Sequence, residues 1–464
     1  MTDVAAQTVP AACNVAWPGI AETALSLASG TVTAEELAND RLDAIATTEH
    51  SGFVRVTADL ARAQAQASDR RREQGKSLGV LDGIPLAHKD MFFRAGEVSG
   101  FGSALVDGFV PSHTSPLIER LDAVGAVDVG RLHMAELAMS PMGRNDHVGD
   151  GRNPWNPDYV SGGSSSGSGM AVAHGLVFAA LGSDTGGSVR IPAGVCGVTA
   201  LKPTQGALST KHAMPLSPSL DCPGILAPTA ADCAAIFEAL TSDGGRPSSD
   251  RPYTIAVPDV TGSSHVTDEI SANFVAASET LVDADCLVTP SGLPNFDQLN
   301  QIATIITGVE AFESFRDYLE AKPDAIGDQV RRRVERGAAY PAHAYARALR
   351  IRPALLAEFL DSYLADADAI MLPTLAFPVP TIAETRAGDP HEAEVRFGEF
   401  SYWTRAINYL GLPVVNIPSG FAGGMPTGIQ LVGRPHAEAE LLALAHRIQT
   451  NDSWKRTVQV GARA

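Results

Sequence analysis

The spacing of apolar positions alternates along the chain between the period of a helix and the period of a strand. Apolar residues recur at helical spacing from 37 to 45, directly after a capping box that begins at Thr33, and they predict a helix. Residues 53–57 alternate as in a strand, and the alanine-rich segment 58–74 ends at Gly75, which predicts a second helix. Helix and strand therefore alternate from early in the chain.

The same alternation continues toward the C-terminal end. Short apolar runs predict further strands at 81–89, 126–129, 254–257, 286–288, 369–374, 411–418 and 428–433. Helical patterns occur at 116–125, 230–240, 268–282 and 438–449, and the region 299–364 is mainly helical. The polar segment 242–252 is predicted to be a surface connection. This succession of strands and helices is typical of an α/β fold.

The densest cluster of small residues lies at 160–204. It holds two loops, 161–169 and 183–188, separated by a short helical segment and a buried strand. Glycine lets the backbone adopt positive φ and aim several N–H groups at one point, a geometry that binds an anion. The spacing fits neither a P-loop nor a Rossmann turn. Because a hydroxyl, Ser188, follows the Gly-Gly pair, we interpret the second loop as a nucleophile beside its own oxyanion hole.

Three ordered motifs give the chain a resemblance to the amidase signature family of serine hydrolases. They are GIPLAHKD at 83–90, GGSSSGSG at 162–169 and LGSDTGGSVRIPAGVCGV at 181–198. The resemblance covers about the whole length, is thinnest between 254 and 368, and has its catalytic motifs within 81–204. It implies a mixed central β-sheet surrounded by α-helices, in one amidase-type domain over 1–464.

The resemblance implies a Ser–Ser–Lys triad at Lys89, Ser164 and Ser188. In this reaction a neutral Lys89 takes the proton of Ser164, which deprotonates Ser188, and the proton later returns to the leaving amine. The pKa of the lysine must then lie well below about 10.4. The family's first serine follows a cis peptide bond, so we predict a cis bond between Gly163 and Ser164.

Other site residues are expected from the same motifs. The backbone N–H groups of Thr185, Gly186, Gly187 and Ser188 are expected to hold the oxyanion. Ala138, Met139 and Ser140 fall where the family places a pocket-lining segment, and Met214 is expected in an apolar lip over the site. The helical region 299–364 is expected to face the substrate. The segment 223–228 lacks an arginine that the resemblance leads us to expect, so we expect the local support of the pocket to differ from the common form of the family.

Some conspicuous residues have structural interpretations. Asp184 and Arg190 are expected chiefly to support the turn, with substrate binding by Arg190 as the alternative. Cys196 is expected to be a packed residue. The run 331–333, three arginines, is typical of a solvated helix face. The formal G-x-S-x-G match at 162–167 lacks the preceding strand of an α/β-hydrolase elbow.

Composition narrows the classes of partner. A net charge of −18 argues against nucleic acid and anionic membranes. The 12 histidines show no HExxH pair, and no group of cysteines and histidines has the spacing of a zinc site. We therefore expect neither a metal nor a cofactor. The first residues show no secretory signal. The spacing of the five cysteines, Cys13 among them, does not indicate a set of disulfide bonds, so we expect a cytoplasmic protein. The sequence does not decide the oligomeric state between a monomer and a homodimer.

These observations favour an enzyme that hydrolyses a small molecule. The expected reaction is cleavage of a non-peptide C–N bond, in an amide or a related carbamate or ester, through an acyl-enzyme on Ser188. The alternative is the glutaminase subunit of a tRNA-dependent amidotransferase, which would carry the same triad. An inactive binding protein is disfavoured because all three catalytic positions are present.

Overall fold

One mixed β-sheet runs through the molecule. The computed structural model describes residues 18–106, 108–241 and 251–455. The strands are β1 Phe53–Val56, β2 Pro85–Lys89, β3 Val127–Leu132, β4 Ala179–Ser183, β5 Thr199–Lys202, β6 Pro223–Ala227, β7 Tyr253–Pro258, β8 Cys286–Ser291, β9 Ala369–Pro373, β10 Val414–Ala422 and β11 Met425–Gly433. Their spatial order is β1-β3-β2-β4-β6-β5-β10-β11-β9-β7-β8.

Parallel and antiparallel neighbours both occur in this sheet. β2 pairs in parallel with β3 and β4, and β7 pairs in parallel with β8 and β9. The remaining neighbours are antiparallel. The predicted α/β class with a mixed sheet is therefore confirmed.

Helices surround the sheet. They are α1 Ile20–Ser29, α2 Ala34–Thr47, α3 Ala58–Glu73, α4 Pro116–Ala123, α5 Ser166–Ala173, α6 Arg190–Cys196, α7 Ala230–Leu240, α8 Asp268–Glu279, α9 Phe296–Ala321, α10 Asp328–Arg336, α11 Ala342–Tyr363, α12 Ile382–Arg386, α13 Pro390–Phe400, α14 Tyr402–Leu410 and α15 Glu438–Thr450. Within the described ranges, none of them combines the length and the apolar composition needed to cross a bilayer.

The elements with strong local signals form as predicted. The Glu36 backbone N–H donates to the Thr33 hydroxyl at 3.1 Å, and the Thr33 N–H donates to the Glu36 carboxylate at 2.9 Å, which is the predicted capping box. The apolar face of α2 that follows is buried. Region 299–364 is largely helical, through α9, α10 and α11.

Several short elements differ from the prediction. The strand predicted at 81–89 begins only at Pro85, because hydrogen bonds from Asp82 N to Gly79 O and from Ile84 N to Leu81 O close turns before it. β5 and β6 lie in segments that resemble loops, and they become strands through pairing with neighbours in the sheet. Positions 1–17, which include Cys13, and most of the predicted connection at 242–252 lie outside the described residues.

The sheet brings the predicted catalytic segments to one edge. β2 and β4 are parallel neighbours, with Leu86 opposite Ala179 and His88 opposite Leu181. Because parallel strands end at the same edge of a sheet, Lys89 and Ser183 lie side by side at their carboxyl ends. The loops before α5 and after β4 reach the same edge, so Ser164 and Ser188 arrive there as well.

The stability of this sheet is expected to depend on its central strands. Leu431 in β11 is fully buried, whereas Leu287 on the edge strand β8 is 56% exposed. We expect Leu431→Ala to lower the free energy of unfolding by roughly 2–5 kcal/mol through lost burial and a residual cavity. Leu287→Ala, the matched control, should change it by about 0.5 kcal/mol or less. Urea unfolding followed by tryptophan fluorescence measures both, and equal losses would contradict the burial argument.

Candidate active site

A buried lysine lies at the centre of the site. Lys89 ends β2, is wholly buried, and its Nζ lies 2.7 Å from Ser164 Oγ and 2.9 Å from Ser183 Oγ. Burial lowers the pKa of Lys89 to about 7, although the charges of Asp221 and Asp184 oppose that shift. A large fraction of the amine is therefore neutral near neutral pH and able to accept a proton.

The first small-residue loop presents Ser164 to this lysine. The Gly163–Ser164 peptide bond is cis, as predicted. The Gly163 N–H donates to Pro141 O at 2.8 Å, and a Cβ added at Gly163 would lie only 2.6 Å from the Gly143 nitrogen. Residue 163 therefore has no room for a side chain in this conformation.

The second loop carries Ser188 to the wall of a cavity. The Ser165 N–H donates to Ser188 O at 3.1 Å, which ties the two loops together. The Ser188 side chain makes no hydrogen bond to another described residue, and Ser188 is 8% exposed and lines the cavity. The structure thus joins Lys89 to Ser164 directly and leaves the Ser188 hydroxyl available to a ligand.

The four backbone N–H groups expected to hold an oxyanion belong to residues 185–188. Thr185, Gly186 and Ser188 line the cavity, and in the described part of the chain their N–H groups meet no acceptor. The Gly187 N–H, also expected in the oxyanion hole, instead donates to Asp184 Oδ1 at 2.8 Å. Three of the four expected donors therefore belong to cavity-lining residues and are not used in hydrogen bonds to other described groups.

A buried ion pair supports the loop 183–188, which is the proposed nucleophile loop, from behind. Arg190 donates to the two Asp184 carboxylate oxygens at 3.0 and 2.9 Å, and both side chains are fully buried. The Asp184 carboxylate also accepts the Val189 N–H at 3.1 Å. Burial alone would raise the pKa of Asp184, but the Arg190 guanidinium, the Lys202 charge and the Asn408 amide together hold that pKa well below the usual range. Arg190 does not line the cavity, so its place fits the expected support of the turn.

Asp221 links a third segment to the same loop. Its carboxylate accepts the Thr185 hydroxyl at 2.6 Å and the Leu216 N–H at 2.9 Å. Leu216 lines the cavity, whereas Met214, expected in the apolar lip, lines a smaller cavity next to Ser183 and is only 3% exposed. The expectation for Met214 is corrected: the hydrogen bonds to Asp221 place Leu216, two residues later, at the cavity wall.

The cavity beside Ser188 has a volume of about 240 Å³. Residues of the predicted pocket segment, of the helical region and of α13 and α14 form its walls. The lining residues are Ala138, Met139, Ser140, Pro141, Thr185, Gly186, Ser188, Ile191, Leu216, Thr304, Thr307, Gly308, Arg333, Arg336, Tyr340, Glu394, Phe397, Gly398, Ser401 and Arg405.

The arginine run at 331–333 is not a uniformly solvated face. Arg332 is exposed, but the Arg333 side chain is 12% exposed and lines the cavity together with Arg336, one helical turn later. The prediction is wrong for Arg333 because α10 turns one of its faces toward the site.

Sequence reasoning missed the wall formed by α13 and α14. Glu394, Phe397, Ser401 and Arg405 lie in a region for which no element was predicted. The sequence Asp389-Pro390 followed by Glu392 is a capping-box signal for α13, and it could have revealed that helix.

Proteins of known function share both the sequence and the fold of this chain. The family described as Amidase matches residues 36–442. A glutamyl-tRNA(Gln) amidotransferase subunit of Neisseria meningitidis serogroup C is 33% identical over 476 residues, which covers 93% of this chain and 97% of the relative. A crystal structure of an amidase has a TM-score of 0.85 at 29% identity, over 93% of this chain and 99% of that one. Native peptide amidase from Stenotrophomonas maltophilia has a TM-score of 0.78 at 26% identity, and the match covers 95% of this chain and 98% of that one.

The position of Lys89 generates a prediction about pH. If the neutral amine is the base, kcat/KM should fall as pH drops through about 7, where Lys89 becomes protonated, and should level off above it. Lys89→Ala should lower kcat/KM by roughly 10²–10⁴-fold and remove this limb. Lys89→Arg, which keeps the charge but cannot act as a base at this pH, should be equally impaired. A pH–rate profile that survives in Lys89→Ala would refute the role.

The buried ion pair generates a prediction about stability. Asp184→Asn leaves the Arg190 charge buried without its carboxylate, so we expect a loss of roughly 3–5 kcal/mol in the free energy of unfolding. Adding Arg190→Met to that variant should recover part of the loss. Asp317→Asn serves as the control, because Asp317 is 86% exposed in its ion pair and should contribute about 1 kcal/mol or less. Denaturant unfolding measures all four proteins, and no recovery in the double variant would argue against charge burial as the cause.

Proposed function

The chain belongs to the amidase family, and from this premise we propose that it hydrolyses the C–N bond of a small amide through an acyl-enzyme on Ser188. The observation that carries the proposal is the contact of a buried lysine of lowered pKa with Ser164, directly beside the cavity that holds Ser188.

The proposed reaction has two halves. Ser188 Oγ attacks the carbonyl carbon while its proton passes to Ser164 Oγ, whose own proton passes to Lys89 Nζ. The N–H groups of Thr185, Gly186 and Ser188 stabilise the oxyanion that forms, and each such donor is typically worth about 3–4 kcal/mol of the barrier. The proton then returns along the same path to the leaving nitrogen, and the C–N bond breaks. Water attacks the acyl-enzyme in the second half and regenerates Ser188.

The proposed substrates are small molecules. A cavity of about 240 Å³ is near the lower end of small-ligand pockets, which supports a compact amide, carbamate or ester. We also propose one amidase-type domain over 1–464 and a cytoplasmic location, for which the buried, unbridged thiols of Cys222, Cys233 and Cys286 give support. The reaction as written uses only groups of this chain.

The second candidate is the glutaminase subunit of a tRNA-dependent amidotransferase. Its support is the 33% identity to the Neisseria meningitidis amidotransferase protein over nearly the full length of both chains. In that case Ser188 would attack the side-chain amide of glutamine, and the ammonia released would pass to a partner protein.

A substrate panel tests the proposal. We expect the purified chain alone to release amine from at least one member of a panel of arylamides and aryl carbamates, and Ser188→Ala to lower kcat by about 10⁴-fold or more. Ser77→Ala, at an exposed serine, is the control and should retain activity. Turnover that persists in Ser188→Ala would refute the acyl-enzyme. The second candidate would be favoured by two results together. The folded protein would show no activity on the panel or on small amides, and it would release ammonia from glutamine only when partner proteins are added.

A further inference from the structure

The charged groups of the substrate cavity do not balance. Among the residues that the structure describes, three arginines line the cavity with one carboxylate, that of Glu394. Arg333 donates to Glu394 at 2.7 Å, and Arg336 lies 3.5 Å from the other oxygen of the same carboxylate. This acidic group is therefore already shared by two guanidinium groups.

The third guanidinium, that of Arg405, has neutral hydrogen-bond partners. It donates to Thr304 Oγ1 at 3.1 Å, to Gly398 O at 3.1 Å and to Ser401 Oγ at 2.5 Å. These bonds use three of its five N–H donors. Among residues 18–106, 108–241 and 251–455, no carboxylate oxygen lies within the 4.0 Å ion-pair distance of Arg405. Two donors and one positive charge are left over at the cavity wall.

Arg405 lies directly against the nucleophile loop. A Cβ added at Gly186 would be 3.6 Å from Arg405 Cγ, so the stem of the arginine passes over this glycine. The preceding residue, Thr404, donates its hydroxyl to Gly186 O at 2.7 Å and fixes α14 to the loop. The guanidinium is thus held near the donors expected to bind the oxyanion.

An enclosed cation without a counter-ion is costly unless a ligand supplies one. Burial, together with the like charge of Arg333, lowers the pKa of Arg405 to about 10, and the side chain still carries its charge at neutral pH. We propose that Arg405 binds an anionic group of the substrate, a carboxylate carried by the amide that Ser188 attacks. The proposal rests on the proposed function and specifies its substrate class.

The same distribution of charge separates two kinds of carboxylate-bearing amide. A zwitterion such as free glutamine would bring an ammonium as well, and Glu394, the acidic side chain that the described residues place at the cavity wall, already binds two arginines. The monoamide of a dicarboxylic acid brings a carboxylate alone. The cavity therefore favours such monoamides over neutral amides and over glutamine.

The test compares matched substrates and variants. Ammonia release is measured from monoamides of C3 to C6 dicarboxylic acids, from the neutral amides of equal chain length, and from glutamine. We expect the best monoamide to exceed its neutral counterpart in kcat/KM by about 10-fold or more, since hydrogen bonds to charged groups are the stronger ones. Arg405→Met, which keeps the stem over Gly186, should remove this preference by lowering kcat/KM for the monoamide about 10-fold or more relative to kcat/KM for the neutral amide. Arg405→Lys should retain part of the preference.

Two controls separate the possible failures. Arg332→Met removes an exposed charge from α10, outside the cavity, and should leave the preference intact. Calorimetric titration of the same monoamide into Ser188→Ala, with and without Arg405→Met, reports binding in the absence of turnover. Binding that depends on Arg405 supports the inference even if every amide proves inert, which would refute only the proposed function. Equal losses for charged and neutral amides in Arg405→Met, or binding unaffected by that change, would overturn the inference.

Discussion

The removal of one amine from water is the constraint on which this structure depends. Lys89 is enclosed at the end of β2, and its Nζ meets two hydroxyls, those of Ser164 and Ser183. One hydroxyl comes from the cis-bonded loop and the other from the end of β4, so the lysine is satisfied only when β2, β4 and that loop are all in register. The burial that requires this arrangement of strands and loop also lowers the pKa of Lys89 to about 7, where an amine can act as a base near neutral pH.

Buried carboxylates limit how far that effect goes. Burial lowers the pKa of Lys89, while the charges of Asp221 and Asp184 raise it, and the balance lies at about 7. Both carboxylates also have mechanical tasks, since Asp184 accepts the Gly187 N–H and Asp221 accepts the Thr185 hydroxyl. The residues that shape the nucleophile loop therefore also set the basicity of the lysine.

The residues that we propose to be catalytic could be predicted from the sequence because they lie in contiguous motifs with local backbone requirements. The walls of the cavity could not, since they are assembled from segments far apart in the chain. Arg405 belongs to no motif and gains its place only when α14 packs against the nucleophile loop. Arg333 was misjudged because a run of charges does not reveal which face of a helix is covered. The buried strands β5 and β6 were not predicted because each has only four or five residues and lies beside prolines or glycines. Such short segments become strands only through pairing with neighbouring strands.

Helix α14 and the residue before it present two pairs of side chains, and the two pairs are offset by one residue. Thr404 and Asn408, one turn from each other, hold the backbone carbonyls of Gly186 and Asp184. Ser401 and Arg405, likewise one turn apart, line the cavity. The turn of helix that would hold an anionic substrate through Arg405 is therefore the same turn that hydrogen-bonds the loop carrying Ser188. Residues 404 and 408 thus hold the loop while residues 401 and 405 face the cavity, so under our proposal the substrate-binding position can change without removing the hydrogen bonds that shape the loop.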